Sequence, residues 1–209
     1  MRHRGPRHLA ILLAAVVAGA CSNWAHASST AGFWFDPNAC VIPGEGVQAF
    51  PALTPEEVEA IQRIARAEVV HAFSGLRLHV TDDRKAFWLV QVVSSLPVGT
   101  HQALPKAGRS LALGMLGGTG AVGFDVVALN AIQYAPPGAS RQTIVEGIGR
   151  GIGRVAAHEF AHQILGATDM HDTTDQDSYE YPSPDRPSQY YGTLHWTTAW
   201  PSLQKKLGV

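Results

Sequence analysis

The stretch "AAHEFAHQILGATDMHD", Ala156 to Asp172, decides how the rest of the chain is read. His158 and His162 stand four residues apart, with Glu159 directly after the first. In a helix, positions i and i+4 lie one turn apart on the same face, so both imidazoles can aim a nitrogen at one point. Zinc takes nitrogen ligands at about 2.0–2.1 Å, and two at this spacing are sterically natural. Glu159 is rotated off that stripe. It misses the metal yet reaches water activated by it, and can take a proton as the water attacks a carbonyl. A structural helix with incidental histidines is the competing reading. The helical context favours the metal: Phe160 and Ile164 supply a packing face, and Gly166 is a stop four residues past His162.

Upstream, "RQTIVEGIGRGIGRVAAHEFAHQIL" (Arg141–Leu165) is helical by period, with Ile144, Ile148, Ile152, Val155 and Ile164 favouring one side and Ser140 as cap. Gly147, Gly149, Gly151 and Gly153 oppose this at roughly 1 kcal/mol each relative to alanine. Close packing of a buried helix against a sheet is the expectation that reconciles them. Further upstream, "TPEEVEAIQRIARAEVVHAF" opens a second long helix. Thr54 is its N-cap, Pro55 stands at N1, Glu57 completes a capping box, and Gly75 is the expected stop. "LRLHV" (Leu76–Val80) and "AFWLVQVV" (Ala86–Val93) read as strands, and "FDVVALNAIQY" (Phe124–Tyr134) as a further strand. Pro97–Arg109 reads as a connection. "GMLGGTGAVG" (Gly114–Gly123) has no phosphate-loop lysine and reads as a flexible loop or bulged hairpin. A short terminal helix opens at Thr197 or Thr198, with Trp200, Leu203 and Leu207 as its packing face.

"HEFAH" at His158–His162 resembles the active-site helix of zincin metallopeptidases. The resemblance implies an α+β fold, a small twisted mixed sheet packed on two long helices. It places HExxH on the second helix and the cleft beneath the sheet's edge strand. By position it implies one catalytic zinc ion on His158 and His162, with Glu159 as general base, acting on a protein or peptide substrate. The metzincin subgroup continues as HExxHxxGxxH. Here Leu165 stands where the glycine would be, Gly166 comes one later, and no methionine follows Met170 to form the subgroup's Met-turn. The third ligand therefore has three candidates. His171 is the better zinc ligand chemically, Asp169 stands three past the glycine, and Glu180 resembles the downstream glutamate of other zincins. Asp169, where it is not a ligand, or Asp172 can accept from a ligating imidazole. Tyr190, Tyr191 and His195 are candidates to stabilise an oxyanion, though no spacing rule selects one.

The first residues are not read as fold. Arg2, Arg4 and Arg7 precede a short apolar run, Leu9–Ala20, as in a secretory signal. Cleavage after Ala27 gives a leader of 1–27 and an exported, periplasmic or secreted product. The alternative, an imperfect lipobox ending before Cys21, gives a lipid anchor there and the only expected membrane contact. An irregular arm (28–53) then leads to a single zincin-like catalytic domain (54–209). Either cleavage leaves Cys40 without a partner. The whole chain has 16 basic and 17 acidic residues, and loss of the three leader arginines tips the balance further acidic. With no basic stripe, nucleic acid is excluded as a partner, and a monomer is expected. The functional expectation is an exported zinc metallopeptidase. The alternative is a non-catalytic zincin-like protein that keeps zinc for stability or binds a partner in its cleft. Glu159 favours the enzyme, because a purely structural site has no use for it.

Overall fold

The computed structural model describes residues 30–42, 50–97, 107–113, 117–166 and 170–209. The expected leader, with Cys21, lies outside them. The strands β1 (Thr30–Phe35), β2 (His79–Thr81), β3 (Trp88–Val93), β4 (Gly108–Ala112) and β5 (Gly118–Gly123) form one mixed sheet in the order β2-β1-β3-β5-β4. β1 runs parallel to both β2 and β3, and β3 parallel to β5. β4 closes one edge antiparallel to β5, with Gly108 opposite Val122 and Ala112 opposite Gly118. The helices are α1 (Pro55–Ala72), α2 (Phe124–Gln133), α3 (Arg141–Leu165), α4 (Ser188–Tyr191) and α5 (Trp200–Leu207). The architecture is α+β, and α3 runs beneath β3, β5 and β4 with α1 packed beside it. Among the described residues no helix is long and apolar enough to cross a membrane.

Local chemistry accounts for the two long helices. Thr54 Oγ1 accepts from Glu57 N at 3.3 Å while Glu57 Oε2 accepts from Thr54 N at 2.8 Å, a complete capping box. Ile61, Ala65, Val69 and Ala72 then form one buried stripe. The Glu57 carboxylate also pairs with Arg141 at 2.6 Å, tying the starts of α1 and α3 together. Ser140 caps α3, and Gly166, at φ 64°, ends it in the left-handed conformation that glycine adopts without strain. Arg154 of α3 is buried against Glu68 of α1 at 3.0 Å and donates to the carbonyls of Ser188, Gln189 and Gly192. The C-terminal segment is thereby fastened to the helix pair.

The α3 glycines serve close approach, but not to the sheet as expected. Alternate glycines fall on opposite sides of a helix. A Cβ on Gly153 would stand 2.4 Å from the Ala65 carbonyl oxygen, and one on Gly149 2.8 Å from Ile64. Both face α1. Gly147 and Gly151 make room instead for the rings of Tyr191 and Tyr190.

Several segments differ from their sequence expectation. Phe124–Gln133 is a helix, not a strand: Phe124, Val127, Ala128 and Ala131 are buried at helical spacing, and tertiary packing overrides the β-branched pair at its start. The arm expected to be irregular contains β1, an interior strand whose Ala31 and Phe33 are buried. The expected connection after Pro97 ends in β4, and the glycine-rich segment supplies β5, so its hairpin reading holds while its loop reading does not. In Leu76–Val80 only His79 and Val80 join the sheet, because Leu76–Leu78 still turn off the end of α1. That helix stops at Ala72, with Gly75 (φ 86°) in the turn that follows. Cys40 is half-buried against the core, and burial pushes its thiol up to about 11, as expected of a structural thiol.

Candidate metal centre

The HEFAH segment occupies the last turns of α3, where Ala156, Ala157, Phe160, Ala161 and Ile164 are buried. The small alanines let the helix sit close under the sheet. His158 and His162 project together, one turn apart, with their Nε2 atoms 3.1 Å from each other. Two imidazoles on one tetrahedral zinc ion place their nitrogens about 3.3 Å apart, from ligand distances of about 2.0–2.1 Å. The two rings therefore already converge on a point suited to an ion.

His171 joins them from the segment beyond α3. Its ring lies parallel to that of His158, with centroids 5.2 Å apart, and nearly perpendicular to His162 at 5.0 Å. One potential ligand atom from each of the three lies within 4.8 Å of the others. The structure thus brings together His158, His162 and His171. Asp169 lies outside the described residues.

Glu180 goes elsewhere. It is fully buried, and its carboxylate accepts from the backbone N–H groups of Thr197, Thr198 and Ala199 and from the Thr198 hydroxyl. It ties down Thr197–Ala199, the segment that leads into α5, where the sequence reading had Thr197 or Thr198 opening the helix. A carboxylate with this set of donors is engaged away from the histidines.

The backbone beside Glu180 does reach the site. His158 Nδ1 is 2.7 Å from the Tyr179 carbonyl oxygen. A carbonyl only accepts, so Nδ1 carries the proton and Nε2 keeps its lone pair for a metal. Burial, reinforced by the neighbouring His162, pushes His158 down to about 3. Its ring is neutral near pH 7, the form that binds metal.

Glu159 is buried on a different face of α3, and its carboxylate lies against Gly108 of the edge strand. Two side chains from α3 and β4 stitch these elements together. Gln163 Oε1 accepts from Leu89 N, while Nε2 donates to the Leu89 carbonyl and to Ser110 Oγ, at 3.0–3.1 Å. Ser110 Oγ donates to the Glu159 carbonyl at 2.9 Å. The Gln163 side chain fits because Gly118 and Gly120 of β5 lack Cβ atoms; one at Gly118 would stand 2.5 Å from Gln163 Cγ. Sequence reasoning missed Gln163, Ser110 and Gly108. Alternating glycines in a strand were the one local signal, marking where another side chain presses on the sheet.

The oxyanion candidates fare differently. Tyr190 and Tyr191 pack on Gly151 and Gly147, and Tyr191 OH donates to the Ala131 carbonyl at 2.5 Å. Gly151 precedes His158 by seven residues, about 10 Å along the axis, so both rings belong to the opposite end of α3. His195 Nε2 pairs with Asp175 Oδ2 at 2.9 Å in an exposed position. Asp172 accepts from Thr174 and Thr197.

No family model matches the chain, and no curated protein matches it.

Proposed function

We propose that the chain is an exported zinc-dependent metallopeptidase of the zincin type, with His158, His162 and His171 as ligands and Glu159 as general base. The observation that carries this reading is a division of labour around the end of one helix. Three imidazoles meet at a point, while the carboxylate between two of them is turned away from the ligand stripe and held under the sheet edge. A purely structural zinc site fills its fourth position with a protein ligand; a catalytic one keeps three and leaves the fourth open. The donor set suits zinc, with neutral nitrogen ligands and one tautomer already held by the Tyr179 carbonyl.

Bound there, zinc would supply Lewis acidity, making water more acidic and polarising a carbonyl. His158 and His162 would hold the ion from a rigid helix, and His171 would close the third side. The Glu159 carboxylate would take the proton of the attacking water and pass it to the leaving amine. The zincin resemblance places the cleft beneath the edge strand. β4, antiparallel and at the edge of the sheet, is where Glu159 lies, which supports that placement.

Metal analysis of the purified protein should find close to one zinc per chain, lost in His162→Ala. Absence of metal from the wild type would end this reading. Cleavage of a peptide library should then fall about 10²- to 10⁴-fold in Glu159→Ala with zinc retained, the usual contribution of a general base. Equal cleavage by the two proteins would remove Glu159 from that role. Zinc without cleavage in the wild type would favour the non-catalytic alternative.

A further inference from the structure

We infer that Glu180, which supplies no metal ligand, is the positioning residue of the metal centre: it fixes both the tautomer of His158 and the path of His171. This inference rests on the proposed metal site. Glu180 is wholly buried, yet its charge is satisfied by four donors from one short segment. Oε1 accepts from Thr197 N at 2.7 Å and Ala199 N at 2.9 Å; Oε2 accepts from Thr198 N at 3.1 Å and Thr198 Oγ1 at 2.5 Å. A buried carboxylate with this many charge-assisted bonds is fixed in position, because moving it would strand either the charge or the N–H groups.

Two backbone contacts flank that fixed side chain, one to His158 itself and one to the residue that follows His171. The residue before Glu180, Tyr179, presents the carbonyl that accepts the hydrogen bond from His158 Nδ1. The Glu180 carbonyl accepts from Asp172 N at 3.1 Å, and Asp172 directly follows His171. Thr197 closes the loop of contacts, donating its N–H to Glu180 and its hydroxyl to Asp172 Oδ2 at 2.9 Å. Arg186, also buried, donates to the Ser178 carbonyl and holds the same segment from its outer end. One carboxylate therefore sets where the Tyr179 carbonyl and the Asp172 N–H stand, and through them how two of the three imidazoles are aimed.

A residue that only anchored the segment before α5 would contribute to stability and leave the metal's surroundings unchanged. The test therefore reads the metal directly. Glu180→Gln keeps the volume but offers one acceptor and places an NH₂ group among N–H donors. It should bind zinc about 10- to 100-fold more weakly in competition with a chelator, the usual effect of losing a partner behind a ligand. Its cobalt-substituted form should show visible bands shifted from those of the wild type. Leu207→Ala, which loosens the same helix from the core, should lower the melting temperature and leave both readouts as in the wild type. Wild-type affinity and bands in Glu180→Gln, or the same changes in Leu207→Ala, would overturn the inference. If Glu180→Gln does not fold, Thr198→Val takes its place, removing the hydroxyl bond to Glu180 Oε2, and unshifted bands there count against the inference in the same way. A wild type that takes up neither zinc nor cobalt overturns the proposed site itself, a separate outcome.

Discussion

Gly108 and Glu159 are in such close contact that a methyl group on Gly108 would stand 2.3 Å from Glu159 Oε1 and 3.0 Å from its carboxyl carbon. The edge strand is thus the wall against which the proposed base rests, and it serves as a wall only because the residue there has no side chain. Ser110, two residues on and facing the same way, bonds the Glu159 carbonyl, so strand and helix are registered to each other at this point.

Gly108→Ala should push the Glu159 carboxylate out of its resting place while leaving the three imidazoles in theirs. Peptide cleavage is expected to fall by up to about 10²-fold, since a displacement on the order of 1 Å costs that much. Zinc content measured on the same preparation should match the wild type. Loss of zinc together with activity would show that the strand supports the ligands and not the base.

Gln163→Leu tests the stitch between α3 and β3. Leucine fills similar space but leaves the N–H and C=O of Leu89 without the Gln163 amide that now pairs both. Destabilisation of roughly 2–6 kcal/mol is expected by urea unfolding, from about 1–3 kcal/mol for each of the two stranded groups. A change below about 1 kcal/mol would mean that water or a shifted strand takes over these bonds.

Gly153→Ala sets intrinsic helix propensity against packing. Alanine favours the helical conformation by roughly 1 kcal/mol. The added methyl would stand 2.4 Å from the Ala65 carbonyl oxygen, a backbone atom that cannot move without shifting α1. Overpacking of about 1–3 kcal/mol should win, and a lower melting temperature is expected. A stabilised variant would show that the two helices separate easily.

His158 makes the metal-free protein sensitive to acid. Burial holds its folded pKa near 3, against an ordinary value of 6.5. Below about pH 6.5 the unfolded chain takes up a proton that the folded chain refuses. Its contribution is fully present above the ordinary value and is lost as pH falls towards 3, at up to about 1.4 kcal/mol per pH unit. Urea midpoints of chelator-treated protein at pH 7.5 and pH 5 should show the decline, and it should be shallower in His158→Gln. Parallel profiles in the two proteins would contradict the depressed value.

The parts legible in the sequence were those written in local periodicity and capping. α1 with its Thr54–Glu57 box, α3 with its Ser140 cap and Gly166 stop, and β3 with its continuous run of apolar, β-prone residues all depend on neighbours within a few positions. β1 was missed although Phe33, Trp34 and Phe35 are strand-prone, because the Gly, Pro and small residues around so short a run read as an irregular arm and its pairing partners lie some fifty residues downstream. α2 was misread because Val126 and Val127 suggest a strand until the burial of Ala128 and Ala131 is known. The third ligand could not be resolved by spacing. Choosing between His171 and Glu180 requires knowing that Thr197–Ala199 claim the glutamate, and nothing near Glu180 in the chain announces that. Gly108, Ser110 and Gln163 were invisible for the same reason, since each acts across elements far apart in sequence.

The three imidazoles come from two stretches of backbone, two from α3 and one from the chain beyond the Gly166 stop. An ion held by all three would couple its occupancy to the docking of residues 170–199, and part of its binding energy would appear as resistance to unfolding. Once the site is saturated, each tenfold rise in free zinc would add about 1.4 kcal/mol to that resistance. The abundance of metal in the surroundings would then govern how long the molecule survives proteolysis as well as how fast it turns over.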